Sequence, residues 1–324
     1  MKRKVLSILL IGVFVLGITG CGSDNKKASD KSNDSKKIEL YPVDDTKNYK
    51  AGYIDNSGKW AIEPTYRITS SFDLETGLAK VQTRGKGCSI GYINTKGELV
   101  LEDKYCGGSA FHNGYAHVII NDSVLNGDAI IDTKGNYIIE PYKYEKISDV
   151  SKNGLVVVKE SSSSNNKLIR LDGTLIKELD SGICEGLNDK GYGDCKDYIY
   201  DENGNIIKQE KGTIYSLNNN NYGFIEYDHV KKAIYTIKDN KIEYLSDYIY
   251  YTVSDFSINN LAMVNYSSDE PYRLINIKGE RINDTNYKSY RLLLDGKWVV
   301  TLEDGSNQVL NADGSILVDT FVVK

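Results

Sequence analysis

The sequence predicts an all-β repeat protein, with residues 38–324 forming a closed β-propeller of about eight four-stranded blades. Three observations carry this. First, one unit recurs: a short apolar strand, a tight turn with a small or Asn/Asp/Lys-rich sequence, and a second strand. Second, the turn residue falls at Gly58, Gly97, Gly135, Gly173, Gly204, Asn240, Gly279 and Gly314, at intervals of 31 to 39 residues. That period is blade-sized. Third, no amphipathic helical pattern follows residue 37, while strand-like runs come at short, regular spacing. Glycine suits such a turn because a hairpin bend needs positive φ, and asparagine is the side chain best able to replace it.

The units read in order as Gly52-Tyr53-Ile54-Asp55, Gly91-Tyr92-Ile93-Asn94, Ala129-Ile130-Ile131-Asp132, Leu168-Ile169-Arg170-Leu171, Tyr198-Ile199-Tyr200-Asp201, Ala233-Ile234-Tyr235, Arg273-Leu274-Ile275-Asn276 and Val309-Leu310-Asn311. Between hairpins lie two more strand-like pieces, such as Tyr66 to Phe72 and then Gly77-Leu78-Ala79-Lys80-Val81. Four strands per unit follow. If the ring closes, Ile38 to Val43 serves as an early strand, and the C-terminal Asp319 to Lys324 is expected to pair into the first blade, removing an exposed edge. An open β-repeat array or seven blades is the rival arrangement.

Unit one, with Gly52-Tyr53-Ile54-Asp55, Gly58, Ile62-Glu63-Pro64, Tyr66, Phe72 and Gly77 to Val81, resembles the WG-repeat family. Unit two keeps Gly91-Tyr92-Ile93, Gly97, Tyr105, Phe111 and Gly114; unit three keeps Ile131-Asp132, Gly135, Ile139-Glu140-Pro141 and Gly154-Leu155. The likeness is good over 51–160 and rests on period alone over 161–324. The tryptophan that names the family is replaced by Ala51 and Ile90. The resemblance implies a repeat domain for interaction, with no shared reaction and no catalytic residues to carry over.

The first residues give an address. Lys2, Arg3 and Lys4 precede an apolar run from Val5 to Leu16 broken only by Ser7 and Gly12, the layout of a signal peptide and short for a membrane span. The run ends in Ile18-Thr19-Gly20-Cys21, which resembles the lipobox of bacterial lipoproteins. That likeness implies loss of residues 1–20 and lipidation of Cys21. Residues 22–37 contain no aliphatic or aromatic side chain larger than Ala28, so they cannot offset their ordering entropy and are expected to form a tether, about 20–24 Å in mean reach. The expected location is the cell membrane, lipid-anchored, on the extracytoplasmic face.

Charge narrows the partners. The chain is −5 overall; the signal carries +3 and residues 22–37 carry +2, leaving −10 on residues 38–324. An acidic domain without a basic cluster argues against nucleic acid. Once Cys21 is assigned, Cys88, Cys106, Cys184 and Cys195 remain. An exported chain permits disulfides, and Cys88–Cys106 with Cys184–Cys195 closes the shortest loops, while free buried thiols are the other reading. No cysteine pair has zinc-ligand spacing, and no cofactor is expected.

Local motifs for chemistry are weak. Gly87-Cys88-Ser89-Ile90-Gly91 matches the nucleophile elbow of hydrolases, yet it leads into a repeat strand where that mechanism needs a helix. His112, His117 and His229 belong to no Ser/His/Asp grouping. Asp201-Glu202-Asn203-Gly204-Asn205 begins like a calcium loop but puts glycine fourth where an EF-hand needs it sixth. The 25 tyrosines, including Tyr248-Ile249-Tyr250-Tyr251, suit half-buried strands and could also offer stacking surfaces.

The expected function is therefore a membrane-anchored, non-catalytic binding module for an envelope protein or glycan. The alternative is an extracytoplasmic hydrolase or lyase using acidic residues near the propeller channel. Cys21→Ala is predicted to leave unlipidated precursor and to move the protein out of the membrane fraction. Unchanged mass and fractionation would contradict the lipoprotein reading.

Overall fold

The computed structural model describes residues 39–45, 48–83, 87–121, 126–180, 182, 184–195, 198–208, 213–227, 230–247 and 249–321. The signal segment, Cys21, the tether and His229 lie outside the described residues. Residues 38–324 form one compact unit.

Among the described residues thirty strands fall into eight antiparallel sheets, each a consecutive meander. Blade 1 holds β1 (Tyr41–Asp45), β2 (Lys50–Ile54) and β3 (Trp60–Tyr66). Blade 2 holds β4 (Ile68–Thr69), β5 (Ala79–Gln82), β6 (Ile90–Ile93) and β7 (Leu99–Tyr105). Blade 3 follows with β8 (Gly107–Gly108), β9 (Tyr115–Asn121), β10 (Asn126–Asp132) and β11 (Tyr137–Ile139). Blade 4 has β12 (Lys146–Ile147), β13 (Leu155–Lys159), β14 (Asn166–Arg170) and β15 (Leu175–Glu178). Blade 5 has β16 (Cys184–Leu187), β17 (Tyr192–Cys195), β18 (Tyr198–Asp201) and β19 (Ile206–Lys208). Blade 6 has β20 (Thr213–Leu217), β21 (Tyr222–Tyr227), β22 (Lys231–Lys238) and β23 (Lys241–Tyr244). Blade 7 has β24 (Thr252–Val253), β25 (Leu261–Asn265) and β26 (Arg273–Asn276). Blade 8 closes the chain with β27 (Tyr287–Leu292), β28 (Trp298–Leu302), β29 (Asn307–Leu310) and β30 (Ile316–Phe321).

These sheets form an eight-bladed propeller. Each is too small to bury a core alone, so both faces must find a neighbour, and the middle strands read as unbroken apolar runs. Leu155 to Val158 are all buried: Leu155 and Val157 pack toward blade 5, while Val156 and Val158 pack toward blade 3. Eight such clusters occur, each between consecutive blades. The one joining Val309, Val318 and Leu293 to Tyr41, Val43 and Ile54 links the last blade to the first.

The expected periodic turns are all present. Gly58, Gly97, Gly135, Gly173, Gly204, Gly279 and Gly314 have φ between 75° and 91°, and Asn240 has φ 55°. The side chain that opens the turn does further work. Asp132 Oδ1 accepts the N–H groups of Lys134 and Asn136, and Asp201 and Asn94 act alike. These bonds explain the Asp/Asn ending of the Gly-Tyr-Ile motif, and they use the Asp201 carboxylate that a calcium loop would need.

Gly52 and Gly91 answer a different demand. The outer strand of their blades bulges over them, so a Cβ at Gly52 would lie 2.4 Å from the Ile62 carbonyl oxygen and one at Gly91 2.8 Å from that of Leu101. In blade 3 the outer strand β11 is only three residues long, and Ala129 is accommodated.

The tyrosine after that glycine is a bolt between blades. Tyr53 donates its hydroxyl to Ser70 O of blade 2, and Tyr92 donates to Ser109 O of blade 3, both at 2.9 Å. Their rings rest on Phe72 and Phe111 of the same neighbours, with centroids 4.7 and 4.8 Å apart. Cys88 is bonded to Cys106, and Cys184 to Cys195 across the β16–β17 pair.

Ring closure corrects one expectation. The C-terminal strand does not pair into the first blade: β30 is the outer strand of blade 8, bonded to β29. Among the described residues blade 1 has no strand inside β1, and both it and blade 7 are three-stranded. The register gives the reason. Pro42 lies opposite Tyr53 as Lys80 lies opposite Tyr92. The Lys80 N–H donates to Ser70 Oγ of the innermost strand, whereas proline has no N–H to satisfy. The Pro42 carbonyl accepts instead from Arg291 Nη1 of blade 8 at 3.4 Å, while Arg291 Nη2 reaches Thr69 O of blade 2 at 3.1 Å. One guanidinium thus spans the place of the missing strand, and Lys297 of blade 8 pairs with Glu39 at 2.9 Å.

Gly52→Ala is predicted to destabilise the domain by about 1–3 kcal/mol through overpacking against the Ile62–Pro64 backbone. Ala129→Gly should cost about 1 kcal/mol or less. Urea midpoints at equal m-values would measure both.

Candidate functional site

The first strands of blades 2, 3, 4 and 7 end in a repeated polar device. Ser70, Ser109, Ser148 and Ser254 each donate Oγ–H to the carbonyl of the next residue and accept the N–H of a residue on the neighbouring second strand. These bonds straighten the innermost edge without a long ladder. The residue after the serine is left facing open space: Asp149 and Asp255 are exposed, whereas Val150 and Phe256 beside them are buried in the blade interfaces.

Side chains from five successive blades share that space. His112 of blade 3, Asp149 of blade 4, Glu185, Asn188 and Asp194 of blade 5, Asn219 of blade 6 and Asp255 of blade 7 line one cavity of about 500 Å³. Contributions from blades 4 and 7, which do not adjoin, place it on the ring axis. Four carboxylates dominate the lining. Burial, reinforced by the negative charges of Glu185 and Asp255, pushes the Asp194 carboxyl up to about 7.

The rim is built from turns that hold one another. Asn188 Nδ2 donates to Asn218 O at 2.8 Å, Asn218 Nδ2 donates to Ser257 O at 3.2 Å, and Asn220 Nδ2 donates to Ile258 O at 2.7 Å. Asn221 and Asn260 take the positive φ at the ends of these turns, 66° and 60°. The amide chain fixes blades 5, 6 and 7 relative to one another at the cavity mouth.

Of the residues singled out in the sequence, His112 reaches this rim, with Nε2 3.8 Å from Asp189 Oδ1. His117 sits away from it on β9, 3.2 Å from Asp128 Oδ2. Ser89 is buried at the entry to β6 with no helix after it, so the hydrolase-like motif is a strand approach. The four carboxylates were not singled out. The available signal was positional: Ser148-Asp149 and Ser254-Asp255 each end five residues before a positive-φ turn residue, Gly154 and Asn260. Among the described residues no group of three or more His, Cys, Asp or Glu side chains is arranged to hold a metal ion.

The chemistry available is multidentate hydrogen bonding and attraction for cationic groups, with one carboxyl protonated over much of the acidic range. Asp194 has a stability consequence. Its unfolded carboxyl ionises near the ordinary 3.8 and its folded one near 7, so between these values the folded chain holds a proton the unfolded chain has lost. This contribution therefore makes stability fall as pH rises through that window. Asp194→Asn is predicted to flatten that slope and to raise the urea midpoint at pH 8 relative to the parent protein. Parallel profiles for the two proteins would contradict it.

A solved structure described as the crystal structure of the eukaryotic initiation factor has a TM-score of 0.54 and 10% identity to this chain, covering 89% of this chain and 96% of its own. BamB from Moraxella catarrhalis gives 0.46 at 12% identity, over 84% of this chain and 95% of BamB. Hsv2 from Kluyveromyces lactis gives 0.38 at 11% identity, over 76% and 75%. At these identities the first likeness shows the fold alone. No curated protein sequence matches the chain. The WG containing repeat model matches residues 52–86, 90–122 and 130–162, so three WG repeats run from the second strand of blade 1 to the second strand of blade 4 within the eight-bladed ring.

Proposed function

We propose that this protein is a membrane-anchored extracytoplasmic lipoprotein whose propeller is a non-catalytic interaction module for an envelope protein or glycan. The observation that carries the binding part is the axial cavity, because a group entering it meets side chains from five blades at once. Such a site is pre-formed: its walls are strand edges pinned by serine bridges and its rim is cross-linked by asparagine amides. Little ordering entropy is then left for binding to offset. The anchoring part is supported by the Lys-rich start, the apolar run and Cys21. WG repeats over the first blades agree with an interaction role.

One observation favours the enzyme alternative. Asp194, protonated up to about pH 7 and set in one cavity with the acidic side chains of Glu185 and Asp255, has the character of a general acid. A single screen separates the readings. The purified protein is presented with envelope glycans and envelope extract, and both retention and product formation are followed. Retention without turnover, lost in Asp255→Asn, is the expected result. Turnover abolished by Asp194→Asn would replace the binding reading with a hydrolase or lyase.

A further inference from the structure

On the inner side of β1, where no strand lies among the described residues, is a second concavity, of about 690 Å³ and lined by Asp44, Asp45, Tyr49, Lys50, Arg67 and Arg291 with Ile68. Its size falls in the range of small-ligand pockets, about 300–1,000 Å³. The slot is poorly suited to an added strand. Pro42 offers no N–H at the register where Lys80 of blade 2 bonds its inner neighbour, and its carbonyl is already taken by Arg291.

Its lining differs in character from the axial cavity. Three cations stand against two carboxylates, within a domain whose net charge is −10. Arg291 is occupied by Pro42 O, Thr69 O and Asp44, and Asp45 accepts from Asn48. Lys50 Nζ donates to Thr65 O at 3.2 Å. Arg67, which lines the recess, has no side-chain hydrogen bond or ion pair among the described residues. Beside it Tyr49 is 85% exposed and held at φ 53°, in the left-handed region where a bulky side chain is strained. An aromatic plate kept in water at a conformational cost, next to an unpaired guanidinium, is a combination that packing does not require.

We propose that this recess binds an acidic saccharide. The apolar C–H face of a pyranose ring matches the Tyr49 ring, a sugar carboxylate matches the fork of Arg67 with Lys50 alongside, and Asp44 accepts from ring hydroxyls. The proposal rests on the reading of the domain as a binding module and gives it a ligand class at a separate place.

The test is calorimetric titration of the full-length protein with tetragalacturonate, and with neutral galactotetraose as the comparison. Binding of the acidic tetramer is expected, at least about ten-fold tighter than the neutral one. Arg67→Ala and Tyr49→Ala should each weaken it by at least about ten-fold, Tyr49→Trp should retain it, and Asp255→Asn at the axial cavity should leave it unchanged. Equal affinity for both sugars, no binding of either, or undiminished binding by Arg67→Ala would overturn the proposal. So would competition by a synthetic peptide with the sequence of Ile68–Phe72, which would make the recess a strand acceptor. An envelope ligand retained through Asp255 while tetragalacturonate fails would leave the binding module standing and remove only this ligand.

Discussion

A four-stranded sheet of short strands has two faces and no interior. Here the middle strands are apolar on both sides, so each sheet must be sandwiched, and the requirement passes from blade to blade until the last meets the first. Ring closure is the only arrangement of such sheets that leaves no apolar face in water. Everything else follows from that: the eight interfacial clusters, the tyrosine bolts between blades 1, 2 and 3, and an axial cavity lined by polar side chains.

The same constraint divides labour along each blade. The second and third strands supply burial, as at Val156 and Ile169. The outer strand alternates and shows apolar side chains such as Leu99 and Leu175 to solvent. The first strand carries little packing, which frees it for polar side chains. That is why three of the axial carboxylates, Asp149, Glu185 and Asp255, sit on or just after first strands, with Asp194 alone on a second strand.

Much of this was legible in the chain. Gly58 and its successors announce the hairpins because positive φ is a local demand, written into one residue. Gly52 and Tyr53 announce a close outer strand and a neighbouring blade, since a missing Cβ and a long polar tip each serve a single contact. The ring's seam was not legible. Whether blade 1 owns an innermost strand depends on the absence of an N–H at Pro42 and on Arg291 reaching it from the far end of the sequence, and no periodicity records a contact across some 250 residues. The axial acids were equally hidden. Asp194 sits in Tyr192–Cys195, an unremarkable strand, and its altered protonation comes from burial in the assembled ring, reinforced by Glu185 and by Asp255 two blades away.

Because each blade is a consecutive meander and the two ends exchange no strand among the described residues, nearly all of the described pairing is between residues close in the chain. A polypeptide emerging N-terminus first can complete blade 1, then blade 2, without waiting for its tail. Only the final seam is long-range, and it consists of side chains: Trp60, Val318, Phe321, Lys297 and Arg291. Low contact order favours rapid assembly, and a last step made by side-chain docking alone leaves no unpaired ladder from a shared blade exposed while the tail is still being delivered.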